Sequence, residues 1–322
     1  MPVFRNLAIA ALAFAAGIAH AADEPKALNF GIISTESQAN LRPSWDPFLA
    51  DMAKAVGVPV NAFFASDYSG VIEAQRFKKV DIAWYGNKSA ISAVDRADGE
   101  VFCQVVNLEG QAGYWSYIVV HKDSGLKTVD DILGRAKDLT FSMGDPQSTS
   151  GTLVPGYYVF AQRGIDAKTA FKRLTNAKHE ANALAVLNRQ VDAATMASDV
   201  YDRMNSREPE KVAQLHVAWK SPLLPSDPMV WRKDLPEGMK AKLKDFFVGY
   251  GKTPEQKAVI EKLKWSAFRA SDNSQLIPIR ELELAKKRAE AQADDKLAAD
   301  EKAKKIAEID AQLGELRKAV AK

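Results

Sequence analysis

Three hydroxyl residues, Ser148, Thr149 and Ser150, stand in a row inside the stretch Gly144-Asp145-Pro146-Gln147-Ser148-Thr149-Ser150-Gly151. The stretch lies between a strand-like segment, Leu139–Met143, and a helix-like one, Thr152–Gln162, that ends at Gly164. Hydroxyls at a helix start donate hydrogen bonds, and the first helical turn adds backbone N–H groups with no partner inside the helix. Together they suit a tetrahedral oxyanion. A simple Ser/Thr helix cap uses the same residue types, and the pattern alone divides evenly between the two. It is not a Walker motif, because the terminal Gly-Lys-Ser/Thr is missing. His179 opens the helical segment His179–Asn188 and is positioned to add a hydrogen bond or partial charge to the same anion; a lone histidine there is otherwise a capping or surface residue.

A second set of residues has the opposite charge preference. Tyr68 sits in Asp67-Tyr68-Ser69-Gly70, and Tyr114 and Trp115 in Gly113-Tyr114-Trp115-Ser116. Aromatic faces at a cleft mouth hold cations. Asp199 follows the strand-like Val191–Met196, and Asp227 lies in Ser226-Asp227-Pro228. Carboxylates beside aromatics suit an ammonium group through charge-assisted hydrogen bonds. Taken singly, each acid reads as a turn residue and each aromatic as packing. Trp84 and Tyr85 serve equally well as cleft lining or core. No nucleophile, general base and oxyanion donor form a set, so no catalysis is expected. Cys103, in VFCQVV, is the one cysteine, which rules out an intrachain disulfide and reads as a small buried hydrophobe. With four scattered histidines no metal site and no cofactor are expected.

The elements that must position these residues alternate. Strand-like Ala27–Ile33 is followed by helix-like Ser44–Val56, strand-like Val58–Ala65, helix-like Tyr68–Phe77 and the short apolar Asp81–Trp84. A second α/β region begins near His121: a short helix at Val129–Ile132, strands at Leu139–Met143, Phe171–Leu174 and Val191–Met196, and helices between them. His216–Trp219 and Met229–Trp231 bracket the proline-rich SPLLPSDP, and helices follow at Met239–Gly249 and Pro254–Leu263. Strands alternating with helices predict open α/β sheets. Crossings near Val119-Val120 and Trp219–Leu224 predict two lobes, 22–119 with 220–280 and 120–219, with a cleft at the strand ends of both.

Both chain ends differ from this body. Residues 1–21 carry Arg5, then the apolar Leu7–Ile18, then Ala19-His20-Ala21, the layout of a cleavable signal peptide; the apolar run is short for a membrane span. Residues 281–322 hold ten basic and ten acidic residues, with Ile306, Ile309, Leu313, Leu316 and Val320 forming a helical seam. That seam fits the chain's own body or a partner helix. A net charge of +3 from 44 Lys+Arg and 41 Asp+Glu lacks the concentrated basic field of a nucleic-acid binder.

The stretches ALNFGIISTES, VNAFFASDYSG, VDIAWYGN, GYWS, GDPQSTSGTLVPGYYVF, ALAVLNRQVDAAT and WRKDLPE, in that order, closely resemble the PhnD family, the periplasmic phosphonate-binding proteins of phosphonate ABC transporters. The resemblance runs from about Ala27 through the tail. It implies an α/β, two-lobed type II periplasmic binding protein with a C-terminal helical extension, a phosphonate ligand, an ABC permease as partner, and a homodimer through the C-terminal helix. It places the phosphonate on Ser148, Thr149 and His179 with backbone donors of the same loop, Ser150 included. The ammonium of 2-aminoethylphosphonate then falls on Tyr68, Tyr114, Asp199 and Asp227. One position departs from the pattern: Asp199 stands where the best-known member has a glutamate, one methylene longer. The departure bears on the amine and leaves the phosphonate residues unchanged. Other phosphorus oxyanions (phosphate, phosphite, methylphosphonate) are the alternative ligands; a phosphonate-degrading enzyme and a structural protein using only its tail are the alternatives from other classes.

Overall fold

A computed structural model describes residues 24–320; the signal peptide expected at 1–21 lies outside them. Thirteen strands are described: β1 (Leu28–Ile32), β2 (Val60–Phe64), β3 (Ile82–Trp84), β4 (Gly99–Asn107), β5 (Gly113–Tyr114), β6 (Ser116–His121), β7 (Thr140–Met143), β8 (Arg173–Asn176), β9 (Ala193–Ala197), β10 (Leu215–Lys220), β11 (Leu224–Pro225), β12 (Pro228–Arg232) and β13 (Trp265–Ala270). They form a six-stranded sheet, β13-β4-β12-β3-β1-β2, and a five-stranded sheet, β10-β6-β9-β7-β8. In each sheet three parallel strands (β2-β1-β3, β8-β7-β9) meet antiparallel ones. Open α/β sheets bind ligands outside the carboxyl ends of such strands, and the two sets of ends face each other.

The first lobe is held by an aromatic core in which Phe30, Trp45, Phe48 and Phe247 are fully buried and their rings meet at 5.2–6.4 Å. The second lobe packs aliphatic residues around Phe141, Phe160 and Phe171. The two lobes are joined by a short ladder in which Tyr114 pairs with Leu224 and Gly113 with Pro225.

That ladder moves the crossings from their expected places. β6 pairs along its length with β9 and β10, so residues 116–119 cannot belong to the first lobe while 120–121 belong to the second. The first crossing is at Gly113–Trp115, and Lys220 still pairs with Tyr117 in the second sheet. The first helix starts at Gln38, not Ser44, and contains Pro43 and Pro47; Ser37 caps it, its side chain accepting from Asn40 N, a stronger start signal than either proline is a stop. Helix Asn87–Arg96 and strand β13 were not expected at all, and the strand expected at Phe171–Leu174 is Arg173–Asn176, because Phe171 is buried in the core instead of the ladder.

The tail is an antiparallel pair of helices, Ile277–Ala293 and Ala299–Val320. Ile309 and Leu313 are buried, Ile306 and Leu316 half-buried, and Arg288–Asp310 (2.7 Å) and Arg317–Glu281 (3.4 Å) join the two helices. In the single chain the described part of the seam is covered by the chain itself.

Candidate functional site

The loop Gly144–Gly151 is shaped by one proline and two glycines. A helical run begins at Thr149, π-type over Thr149–Leu153, and ends at Gly164 in the left-handed conformation, φ 65°. Pro155 inside it has no N–H, and its ring crowds the carbonyl four residues back, that of Gly151. That carbonyl turns outward and accepts from Gly144 N at 2.8 Å and Thr195 Oγ1 at 2.7 Å. The loop is thereby tied to the end of β7 and to β9. A π-type turn at such a place is a common functional feature. Ser148 caps the run, its Oγ accepting from Gly151 N at 2.9 Å, and the Ser116 hydroxyl donates to the Ser150 carbonyl at 2.5 Å. The helix therefore starts three residues before the expected Thr152, which puts Thr149 and Ser150 in its first turn, where main-chain N–H groups have no intrahelical acceptor.

The close approach leaves no room for a side chain. A Cβ on Gly144 would lie 2.6 Å from Gly151 Cα and 2.9 Å from its carbonyl carbon, backbone that cannot rotate away. Gly144→Ala is expected to lower the melting temperature by about 2–6 °C through overpacking and to weaken anion binding with it. Thermal melts and titrations of the variant check both; an unchanged melting temperature would show that the loop is free to shift.

His179 is 3% exposed, with Nε2 3.3 Å from Ser148 Oγ and Nδ1 without a partner among the described residues. Burial pushes its pKa down to about 4, against the pull of Asp199, so it is neutral at pH 7. Ser148, Thr149, Ser150 and His179 thus offer only neutral groups to the cavity. The first lobe closes it: Lys88 N, at the start of helix Asn87–Arg96, donates to Thr149 Oγ1 at 2.9 Å, Ser92 Oγ to Gln147 at 3.0 Å, and Tyr68 N to Asp145 Oδ2 at 3.2 Å.

The other end is acidic. Trp84 Nε1 donates to Asp227 Oδ2 at 3.0 Å, and Arg203 Nη1 to Asp199 Oδ2 at 2.9 Å. The remaining oxygens, Oδ1 of Asp227 and Oδ1 of Asp199, are buried without a protein partner among the described residues. Burial holds the Asp227 carboxyl well above the usual range, with the charge of Asp199 adding to it and the Trp84 bond opposing. Burial likewise raises the phenols of Tyr68 and Tyr114, which stay protonated and able to donate.

All eight expected residues, Tyr68, Tyr114, Ser148, Thr149, Ser150, His179, Asp199 and Asp227, line one cavity with Ile33, Thr35, Gly86 and Ala197. Trp115 is not among them; its ring holds Lys220 Nζ at 3.8 Å from the centroid. Trp84 acts from the core, through Asp227, while Tyr85 donates to Gln75 at 3.1 Å. Thr35 escaped the reading of the sequence. Its Oγ1 is buried without a protein partner among the described residues, and its position just after β1, at the carboxyl end of a parallel strand, is the signal that points to it.

The family described as "ABC transporter, phosphonate, periplasmic substrate-binding protein" matches residues 30–276. The chain is 57% identical over 298 residues to the phosphonates-binding periplasmic protein of Escherichia coli K12, covering 92% of this chain and 88% of that protein. It superimposes with a TM-score of 0.91, at 54% identity, on the crystal structure of a binding protein component of an ABC phosphonate transporter from Pseudomonas aeruginosa, covering 93% and 99% of the two chains. The fold is shared, at 24% identity and a TM-score of 0.72, with a Prochlorococcus marinus protein solved in complex with methylphosphonate, covering 80% of this chain and 97% of that one. A two-lobed body, a cleft fitted for an oxyanion, and relatives that cover nearly the whole chain agree: the chain belongs to the periplasmic substrate-binding proteins of phosphonate ABC transporters, a family of carriers that deliver ligand to an importer and not of enzymes.

Proposed function

We propose that the ligand is an aminoalkylphosphonate, with 2-aminoethylphosphonate the simplest that fits. Ser148, Thr149, Ser150 and His179 receive the phosphonate, and Tyr68, Tyr114, Asp199 and Asp227 the ammonium. The observation that carries this is the pair of unpartnered carboxylate oxygens, Asp199 Oδ1 and Asp227 Oδ1, sharing one cavity with an oxyanion cradle. Carboxylates in a space with little water repel a simple anion strongly, and a cationic tail reverses the sign. The shorter Asp199 has one oxygen held by Arg203, so it meets the amine through Oδ1, directly or across a water.

A second reading, a phosphorus oxyanion without an amine, is favoured by the raised Asp227: a protonated carboxyl there would donate to an anion instead of repelling it. The methylphosphonate complex of the Prochlorococcus protein is in keeping with it. Calorimetry on refolded protein with 2-aminoethylphosphonate, ethylphosphonate and phosphate separates the two. The expected result is 2-aminoethylphosphonate tighter than ethylphosphonate by on the order of 100-fold, the worth of one or two charge-assisted hydrogen bonds, and phosphate weakest. Equal binding of both phosphonates would sink the amine reading and leave the cradle; no binding of any would sink both.

A further inference from the structure

Beside the cavity, a charge cluster crosses the cleft. Glu36 follows β1 in the first lobe and is 1% exposed. It accepts from Arg203 Nε and from Arg207 Nη2, each at 2.6 Å, both on helix Ser198–Arg207 of the second lobe. Glu180, in the second lobe, reaches the other way, accepting from Ser37 N at 2.7 Å and Asn40 Nδ2 at 2.5 Å at the start of the first helix, and from Arg207 at 3.2 Å. Arg203 does not line the cavity, yet its Nη1 binds Asp199, which does. The same nitrogen donates to the Leu263 carbonyl of the first lobe at 3.3 Å.

We propose that Arg203 is a positioning residue for the ligand's amine: it neutralises and aims Asp199, and Glu36 makes that hold depend on lobe closure. The proposal rests on the aminophosphonate reading and deepens it. Arg203 and Glu36 lie almost wholly out of water in the closed protein, and with the lobes apart they are hydrated. Burial of paired charges cancels most of what their attraction contributes, so the network holds closure near balance and leaves the ligand to decide it. Removing one partner leaves a buried charge with one ion pair fewer and shifts the balance toward the open form. Arg203 also sets the charge that the ligand meets. With it, one uncompensated acid, Asp227, faces the amine; without it, two do.

The test is titration of Glu36→Gln and Arg203→Met with 2-aminoethylphosphonate and ethylphosphonate, with small-angle scattering of the ligand-saturated forms. Glu36→Gln is expected to weaken both ligands by a common factor, about 10- to 100-fold, leaving their ratio within about twofold of the wild type. Arg203→Met is expected to weaken ethylphosphonate more than 2-aminoethylphosphonate, raising the ratio about tenfold, since two bare carboxylates then face an anion without a cationic tail. Arg203→Lys, which restores the charge, returns the ratio toward the wild-type value. A ratio unchanged in Arg203→Met, whether both affinities hold or fall together, overturns the positioning role; unchanged affinities in Glu36→Gln overturn the coupling to closure. Should Arg203→Met fail to fold by circular dichroism, Arg203→Gln carries the same comparison. Failure of the aminophosphonate reading shows separately, as equal binding of both ligands by the wild-type protein.

Discussion

Asp227→Asn is expected to weaken 2-aminoethylphosphonate by about 100-fold, the loss of a hydrogen bond between charged groups and of their attraction in a space with little water, while ethylphosphonate stays within about fivefold or tightens. The amide has the shape of the carboxylate and can still accept from Trp84 Nε1, the bond that fixes Asp227 in place. The core is therefore undisturbed and the charge alone is removed. A pH series adds a second check. Burial first, and then Asp199, raises the Asp227 carboxyl, so part of the ligand-free protein carries a proton there at low pH. The ammonium binds the ionised form, so its binding releases that proton, and affinity climbs with pH up to the raised pKa and levels off above it. The phosphonate and His179 titrate as well, but they do so in the variant as in the wild type. The ratio of the two affinities in the wild type, divided by the same ratio in Asp227→Asn, therefore isolates Asp227 and is expected to rise with pH. Equal loss of both ligands in the variant, or a quotient that stays flat with pH, would show that Asp227 does not meet a cation.

Which parts of this arrangement were legible in the sequence follows from the range of the forces involved. The oxyanion loop was legible because its parts are local: a strand, three hydroxyls and a helix start within about a dozen residues. The extra turn of helix at Thr149 was not, because it depends on Pro155 releasing the Gly151 carbonyl to Gly144 and Thr195, and Thr195 is distant in sequence. The grouping of Tyr68, Tyr114, Asp199 and Asp227 came from resemblance, since residues so far apart share no local pattern. The role of Trp84 in holding Asp227 requires β3 and β12 to pair across a long stretch of sequence, and the Glu36–Arg203 pair requires both lobes in place. Strand β13 closes the edge of the first sheet from residues that, as a run, read as part of a loop between helices; its pairing with β4 is a tertiary decision that β-propensity alone does not make. The tail seam was legible as a seam, and only the fold shows that the helix Ile277–Ala293 covers it.

Substituting both hydroxyls of the cradle, Ser148→Ala with Thr149→Val, is expected to weaken both phosphonates alike by removing the part of the site that every phosphonate shares. Two hydrogen bonds to a charged group amount to about 3–6 kcal/mol, so 2-aminoethylphosphonate and ethylphosphonate should both weaken by on the order of 1,000-fold, with their ratio nearly kept. The two changes also have structural costs that can be stated in advance. Ser148 loses its cap to Gly151 N, about 1 kcal/mol, and Thr149 no longer accepts from Lys88 N across the cleft. The first of these costs lowers the melting temperature of the protein, by a few degrees at most; the second acts only on closure. A loss of affinity far larger than the loss of stability is therefore the signature of a ligand contact. Affinities that fall only in step with the melting temperature would mean that the row of hydroxyls is a helix cap and that the anion is held by the main chain and His179. With Asp227→Asn, the two variants divide the cavity: one moves the ratio of the ligands at nearly constant ethylphosphonate affinity, the other moves both affinities at a nearly constant ratio. A single cavity that answers in these two independent ways has one end for an anion and one for a cation, and a ligand carrying both charges is what sets an aminophosphonate apart from every simpler oxyanion.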